Sequence, residues 1–585
     1  MNKEWNLDIL YKSYESEEFQ HDFKALPALI DELSECAKHL DEGAVKDKLV
    51  EVLMLNEKLT LAVSRLAYYI NLRQTVNTSD AQTVAYGAQL SQMMAATAKP
   101  TTAINKFIAG IENLDEVIEQ DELLKTYRFM LHEIKQNAKH LLSEEVEEVL
   151  SMMDLTGGEA WGNLQEYMTS TLEVDYKGEK VNLSMVRNLA YDESAEVRKA
   201  AYEAELAGYE KIKEPVAFAL NNIKKQVNTV AALRGYESPL AMTLEDSRMQ
   251  RSTLDAMLKA MDKHMPKFRA YMKRKAELLG HENGLPWYDL FAPLGESDRK
   301  FTVEEARDYL VNHFRGFADD LADMVAEAFD NAWIDFYPHK GKVGGAFCEN
   351  LPQFKQSRVL TNFDGALGDV VTLAHELGHA YHGYNIQDHR PLNVNYSMPV
   401  AETASTFNEN LIMNSVIDET EDKKEKMALI EKQLQDLNQI ICDIYSRYLF
   451  ESAVFENAKD QFMFADSLCE MMIEAQKKAY GDGLDEKTLN PYMWICKSHY
   501  YSSGLSFYNF PYAFGGLFAR GLYAKYKKEG ADFVPKYREL LHATTISSVE
   551  DVAAICDIDL TKEEFWEDAL VSCEELIDQF LELSK

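Results

Sequence analysis

The stretch Leu373-Ala-His375-Glu376-Leu-Gly-His379-Ala-Tyr-His382 decides how the rest of the chain is read, because it sets two histidines four residues apart with a glutamate directly after the first. The surrounding pattern predicts a helix from about Asp369 to Tyr384. At 3.6 residues per turn, residues four apart lie about 40° from each other, so His375 and His379 can aim imidazole nitrogens at one metal ion. Glu376 then lies beside the ion, where a general base for a water must be. With 14 histidines and 97 acidic residues in 585 positions, chance yields at most roughly 0.06 copies of this His-Glu-x-x-His pattern.

A third ligand is required. The extended pattern His-Glu-x-x-His-x-x-Gly-x-x-His would need glycine at 382 and histidine at 385, and the chain has His382 and Asn385 there. The other usual solution is a glutamate on a following helix. Ser397-Met-Pro-Val-Ala-Glu402-Thr-Ala-Ser-Thr-Phe-Asn-Glu409 predicts one, with Ser397 as cap and Pro399 in the first turn. Glu402 is therefore assigned as the third ligand. Two histidines, one glutamate and a water complete a catalytic zinc tetrahedron, which leaves His382 outside the set. Glu409 lies about 20° from Glu402 around a helix; it either orients an imidazole or is a surface acid.

Outward from this centre, the glycine-rich stretch 341–345 and the β-prone Arg358-Val-Leu-Thr-Asn-Phe363 predict a small sheet within 337–365. A period of two around Lys177-Gly178 predicts a short hairpin over 171–183. Residues 15–150 read as helical, with Leu61, Leu66, Tyr69 and Ile70 as a sample of the apolar face, and helical patterning resumes from Glu196 to about 335. The tail is helical except for a Gly/Ser/Tyr segment at 498–516. The expected organisation is an N-terminal helical region (1–110), a helical and hairpin connection (111–195) and a catalytic domain (196–585).

Prolines and glycines number 14 and 27, roughly 7% of the chain against a usual total of about 12%, which favours long helices. A net charge of −36 repels nucleic acid and anionic membrane surfaces. Seven cysteines without a Cys-x-x-Cys pair offer neither a disulfide framework nor a thiolate zinc site, and a reducing cytoplasm is expected. The first residues lack the apolar stretch of a signal peptide, and no run of about 18 apolar residues suggests a membrane span.

Together, Arg358-Val-Leu-Thr-Asn-Phe363, Asp369-Val-Val-Thr-Leu-Ala-His-Glu-Leu-Gly-His-Ala-Tyr-His382 and Val400-Ala-Glu-Thr-Ala-Ser-Thr-Phe-Asn-Glu409 resemble the thimet oligopeptidase and oligoendopeptidase F family of zinc metallopeptidases. The oligoendopeptidase F branch is the nearer of the two, and the resemblance covers roughly residues 110–575. It implies a mainly α, two-lobed helical body with one zinc ion deep in a central channel and a small β-sheet beside the His-Glu-x-x-His helix. It also implies short unfolded peptides as substrates, cut internally. Family members carry a histidine and tyrosines on a downstream loop that contact the substrate carbonyl and its oxyanion; His499, Tyr508 and Tyr512 are the corresponding residues, with Tyr500 and Tyr501 as alternatives.

The expected reaction is attack of a metal-activated water on a peptide carbonyl, with Glu376 as base and then acid. The substrate backbone is expected along an edge strand near Arg358–Phe363. A carboxypeptidase trimming one or two residues, and from another class an inactive peptide-binding protein, are the rival readings. Against the second stands Glu376, since a structural site needs no base.

Overall fold

The computed structural model describes residues 3–295 and 299–585. Helix accounts for 70% of the chain and strand for 4%, so the sheets can only be local devices on a helical body. The first long helices are α1 (Glu17–Lys38), capped by Ser16, and α2 (Val45–Val76). Phe19, Leu26, Ile30 and Leu33 of α1 recur at helical spacing and meet Leu66, Tyr69 and Ile70 of α2 in one apolar core. Leu61 does not join it and is exposed: five residues from Leu66, it lies about 140° around the helix.

This first core runs from Trp5 to Leu131 and takes in Leu351 and Leu360 from the sheet described below. A second and larger core is built from residues between Leu172 and Phe580. The two are tied by Glu57, which accepts hydrogen bonds from Tyr127 and from Arg390 Nε (2.6 Å), and by Asn6, whose N–H donates to the Ala332 carbonyl.

The predicted hairpin forms from β1 (Glu173–Tyr176) and β2 (Glu179–Asn182), with Tyr176 facing Glu179. Lys177 (φ 51°) and Gly178 (φ 88°) are both left-handed, the signature of a two-residue type I′ turn. Helix α3 (Lys213–Leu233) follows within the second core. The sheet beside the metal-motif helix contains β3 (Ile334–Asp335), β4 (Phe347–Leu351) and β5 (Gln356–Leu360) in the order β3-β5-β4, with β5 parallel to β3 and antiparallel to β4.

Here the strand expectation is corrected. β5, which carries Arg358, is the central strand, and the outer strands are the two-residue β3 and the longer β4. The continuous burial of Ser357 to Leu360 is what a strand flanked on both sides requires. Arg358 is buried because its guanidinium donates to the carbonyls of Asn6 and Ser357, each at 2.7 Å.

Helix α4 (Leu367–Ile386) carries the motif, and Asp369 accepts from the Ala366 N–H at its start. Helix α5 (Thr403–Glu419) begins later than Ser397. Met398–Val400 form a separate 3-10 turn, and Glu402 (φ −92°, ψ 10°) sits at the N-cap of α5 instead of within a continuous helix. Downstream are α6 (Ile444–Asn457) and α7 (Phe510–Glu529). The break expected over 498–516 is narrower: Ser498–Tyr501 form a 3-10 turn and the loop ends at Asn509, because Pro511 is tolerated in a first turn and Asn509 accepts from the Phe510 N–H.

Candidate active site

The site rests on how closely α4 and α5 pack. A Cβ on Gly378 would lie 2.5 Å from both the Ala404 carbonyl oxygen and the Ser405 Cα, so only glycine permits this approach. Two buried or half-buried amides lock α4 from either side. Asn408 Nδ2 donates to the Ala374 carbonyl (3.3 Å) and Asn350 Nδ2 to the His379 carbonyl (3.1 Å).

This packing brings Glu402 Oε2 to 3.3 Å from Nε2 of His375 and 3.3 Å from Nε2 of His379. One ligand atom from each of the three residues lies within 4.8 Å of the others. A tetrahedral zinc site with bonds of about 2.0–2.1 Å has edges of about 3.3–3.4 Å, so the donor set and the spacing from Glu402 both fit that ion. The second nitrogen of His375, Nδ1, is 2.6 Å from Glu409 Oε1, and the Ser405 hydroxyl donates to Glu402 Oε2 at 2.7 Å.

The electrostatics follow. Burial opposes a charge on His375, but the Glu402 and Glu409 carboxylates outweigh it and push the imidazole up to about 10. Burial likewise works against the Glu402 anion, and the two histidines reverse it, holding its carboxyl well below the usual range. Glu376 is different. It is only 6% exposed, and burial raises its pKa while His375 and His379 pull against the rise. A carboxylate moved toward neutrality in this way is suited to taking and returning a proton.

The aromatic residues singled out downstream divide into two groups. His499, Tyr508 and Tyr512 form one cluster: ring centroids are 4.7 Å apart for His499 and Tyr508, 5.2 Å for Tyr508 and Tyr512, and 6.2 Å for His499 and Tyr512. The cluster borders the metal motif, since Gly515 of α7 packs against Glu402 and the Tyr508 hydroxyl lies 3.8 Å from Met398 Sδ. Burial, then the Tyr508 hydroxyl, raises the Tyr512 phenol, which stays a proton donor at neutral pH. Burial, then Arg447 and Lys497, lowers His499. Tyr500 and Tyr501 are instead buried in the second core, with the Tyr501 hydroxyl donating to the Trp494 carbonyl at 2.9 Å.

His382 is fully buried, stacks on Tyr396 at 4.1 Å and pairs through Nε2 with the Thr544 hydroxyl at 2.8 Å. Because that hydroxyl gives its hydrogen to the Leu541 carbonyl, His382 must donate to it, which fixes the Nε2–H tautomer. Asn350 and Gly515 were not singled out from the sequence. Neither residue type carries a functional signal of its own, and both act through contacts set by the fold.

The model of peptidase family M3 matches residues 188–572, and that of oligopeptidase F matches residues 109–173. Oligopeptidase PepF of Bacillus subtilis is 27% identical over 99% of this chain and 87% of its own length. An oligoendopeptidase F homolog of Lactococcus lactis is 25% identical over 99% of this chain and 98% of its own. Among solved structures, a chain from Chlamydophila abortus superposes with TM-score 0.87 at 20% identity, covering 99% of this chain and 98% of that one. Oligoendopeptidase-F of Enterococcus faecium gives TM-score 0.71 at 20% identity, covering 97% and 99%.

Proposed function

The chain belongs to peptidase family M3 and is a peptidase, and from that premise we propose that it is a zinc-dependent endopeptidase of short, unfolded peptides in which His375, His379 and Glu402 hold the metal. The observation that carries this reading is the placement of Glu402 Oε2 at 3.3 Å from both histidine nitrogens. When bound there, zinc would act as a Lewis acid and lower the pKa of a water toward about 7.

The remaining chemistry is the chain's own. Glu376 accepts a proton from the attacking water as its oxygen bonds to the carbonyl carbon. The same carboxylic acid returns that proton to the amine nitrogen as the C–N bond breaks, so the carboxylate is regenerated. Tyr508 and Tyr512 donate hydrogen bonds to the developing oxyanion, and His499 contacts the substrate carbonyl beside them. Glu409 fixes the orientation and tautomer of His375.

The outer edge of β4 makes no strand pairing among the described residues. A peptide lying antiparallel along it would be recognised through main-chain hydrogen bonds, which are blind to side-chain identity and give broad specificity. A deep central channel, as the resemblance implies, would confine substrates to short unfolded peptides. The division into 1–110, 111–195 and 196–585 belongs to the same proposal, as does a reducing, cytoplasmic setting, for which seven unpaired cysteines speak. No helix among the described residues is long and apolar enough to cross a membrane.

The test is cleavage of a blocked, internally quenched peptide of about ten residues, with fragments identified by mass, before and after chelation and zinc readdition. Internal cuts lost on chelation and restored by zinc are the expected result. Cuts confined to free C-termini would favour a carboxypeptidase, and absence of cleavage with metal bound would favour a peptide-binding protein.

A further inference from the structure

The backbone around Tyr508 is held in a conformation it would not choose. Phe507 has φ +54°, the left-handed region that a bulky aromatic residue rarely occupies unless its surroundings impose it. The surroundings are specific. Glu451 on α6 is buried, and its Oε1 accepts from the Phe507 N–H at 3.1 Å while its Oε2 accepts from Asn509 Nδ2 at 2.7 Å. One carboxylate therefore grips the residues on both sides of Tyr508.

That carboxylate is itself held by Lys224 on α3, whose Nζ lies 2.7 Å from Glu451 Oε1, with both side chains only 1% exposed. Lys224 also sits 4.6 Å from the centre of the Phe455 ring, on which Phe507 stacks at 5.2 Å. A buried ion pair is a poor source of net stability, since both charges give up water to form it. An ion pair serving the core alone would have no need to direct both carboxylate oxygens to one loop.

We infer that Glu451, charged and held in place by Lys224, is a positioning residue that sets the placement of the Tyr508 hydroxyl over the metal motif. The inference rests on the role given to Tyr508 above. Glu451 touches no reacting atom; it acts through Tyr508, anchored on two core helices instead of on the loop. Charge matters because an anionic acceptor binds three donors more tightly than a neutral amide can, and a glutamine would present an N–H to groups that are themselves donors.

The experiment is a double-mutant cycle on the full chain, reading kcat and KM for the internally quenched peptide together with zinc content. Displacing a reacting group by about an ångström costs about 10²-fold, so Glu451→Gln should lower kcat by about that factor with KM and zinc content little changed. In the Tyr508→Phe background the same substitution should cost less than about threefold, because the group it positions is gone. Equal losses in both backgrounds would overturn the inference, as would an undiminished kcat in Glu451→Gln. Should Glu451→Gln not fold, Asn509→Ala leaves the ion pair intact and removes one grip; it should lower kcat by about tenfold alone and not in the Tyr508→Phe background. Peptide cleavage with no loss in Tyr508→Phe itself would remove the role of Tyr508 and this inference with it, leaving the endopeptidase reading standing.

Discussion

The metal motif and the tyrosine segment are both placed at one site, but the chain builds them by opposite means. His375, Glu376, His379, Glu402 and Glu409 come from two adjacent helices, and their geometry follows from helical spacing and one close approach at Gly378. His499 lies in a 3-10 turn, Tyr508 near the end of the loop that follows and Tyr512 in the first turn of α7, and Tyr508 is steadied by Lys224 and Glu451, 227 positions apart in sequence. A site of the first kind is robust because local structure supplies it. One of the second kind depends on the assembled core, and it can be lost without disturbing the first.

That contrast can be broken most forcefully at Glu376. Glu376→Gln keeps the side-chain volume and the ligands, so zinc content should stay at the wild-type level while kcat falls by about 10²–10⁴-fold. Peptide kinetics paired with metal analysis check both halves.

Next in size is Tyr508→Phe, for which kcat should fall by about 10²–10³-fold with zinc retained. Tyr501→Phe sharpens the point: it loses a buried hydrogen bond to Trp494 and should cost about 0.5–1.5 kcal/mol of stability while kcat stays within about twofold. Urea unfolding and turnover, measured on the same preparations, separate the two.

Much of the first region was legible in the sequence, for a physical reason. Once a helix is assigned, positions 375, 376 and 379 are fixed relative to one another by its pitch, and a glutamate 23 residues on is within reach of a packed neighbour. What could not be read was where α5 begins, since Pro399 fits a 3-10 turn as well as a helix N-terminus, and so Glu402 was not recognised as a cap. The outer strand was also misplaced. Strand order depends on pairing between distant segments, and β5 meets both β3 and β4 only in the fold.

The second region was legible only as chemistry. Five histidine or tyrosine side chains stand between 499 and 512, and nothing in their types separates Tyr508, half-buried beside His499, from Tyr501, buried in the second core. Lys224 and Glu451 carried no signal, because a lysine and a glutamate on separate helices resemble any solvated charges until the core brings them together.

A smaller effect tests the outer support of the metal. Glu409→Gln should weaken zinc binding by about 10–100-fold, measured by competition with a chromophoric chelator, because His375 Nδ1 loses its charged partner.

The smallest concerns His382, which shares α4 with His375 and His379 and stacks on Tyr396. Burial, with His379 adding to it, pushes its imidazole down to about 3, below the unfolded value of about 6.5. The unfolded chain therefore binds the proton first, and the contribution to stability is full above about pH 6.5 and lost as pH falls toward about 3. Relative to His382→Phe, wild type should lose about 1.4 kcal/mol for each unit between about pH 6 and 4, read from urea midpoints.

The most direct test is zinc stoichiometry of the purified wild type, Glu376→Gln and Glu402→Gln proteins after equilibration with a modest zinc buffer. With His375, His379 and Glu402 as the ligands, wild type and Glu376→Gln each carry one zinc per chain, and Glu402→Gln loses both the metal and peptide cleavage. A Glu402→Gln protein that kept one zinc and wild-type turnover would contradict the account at its centre.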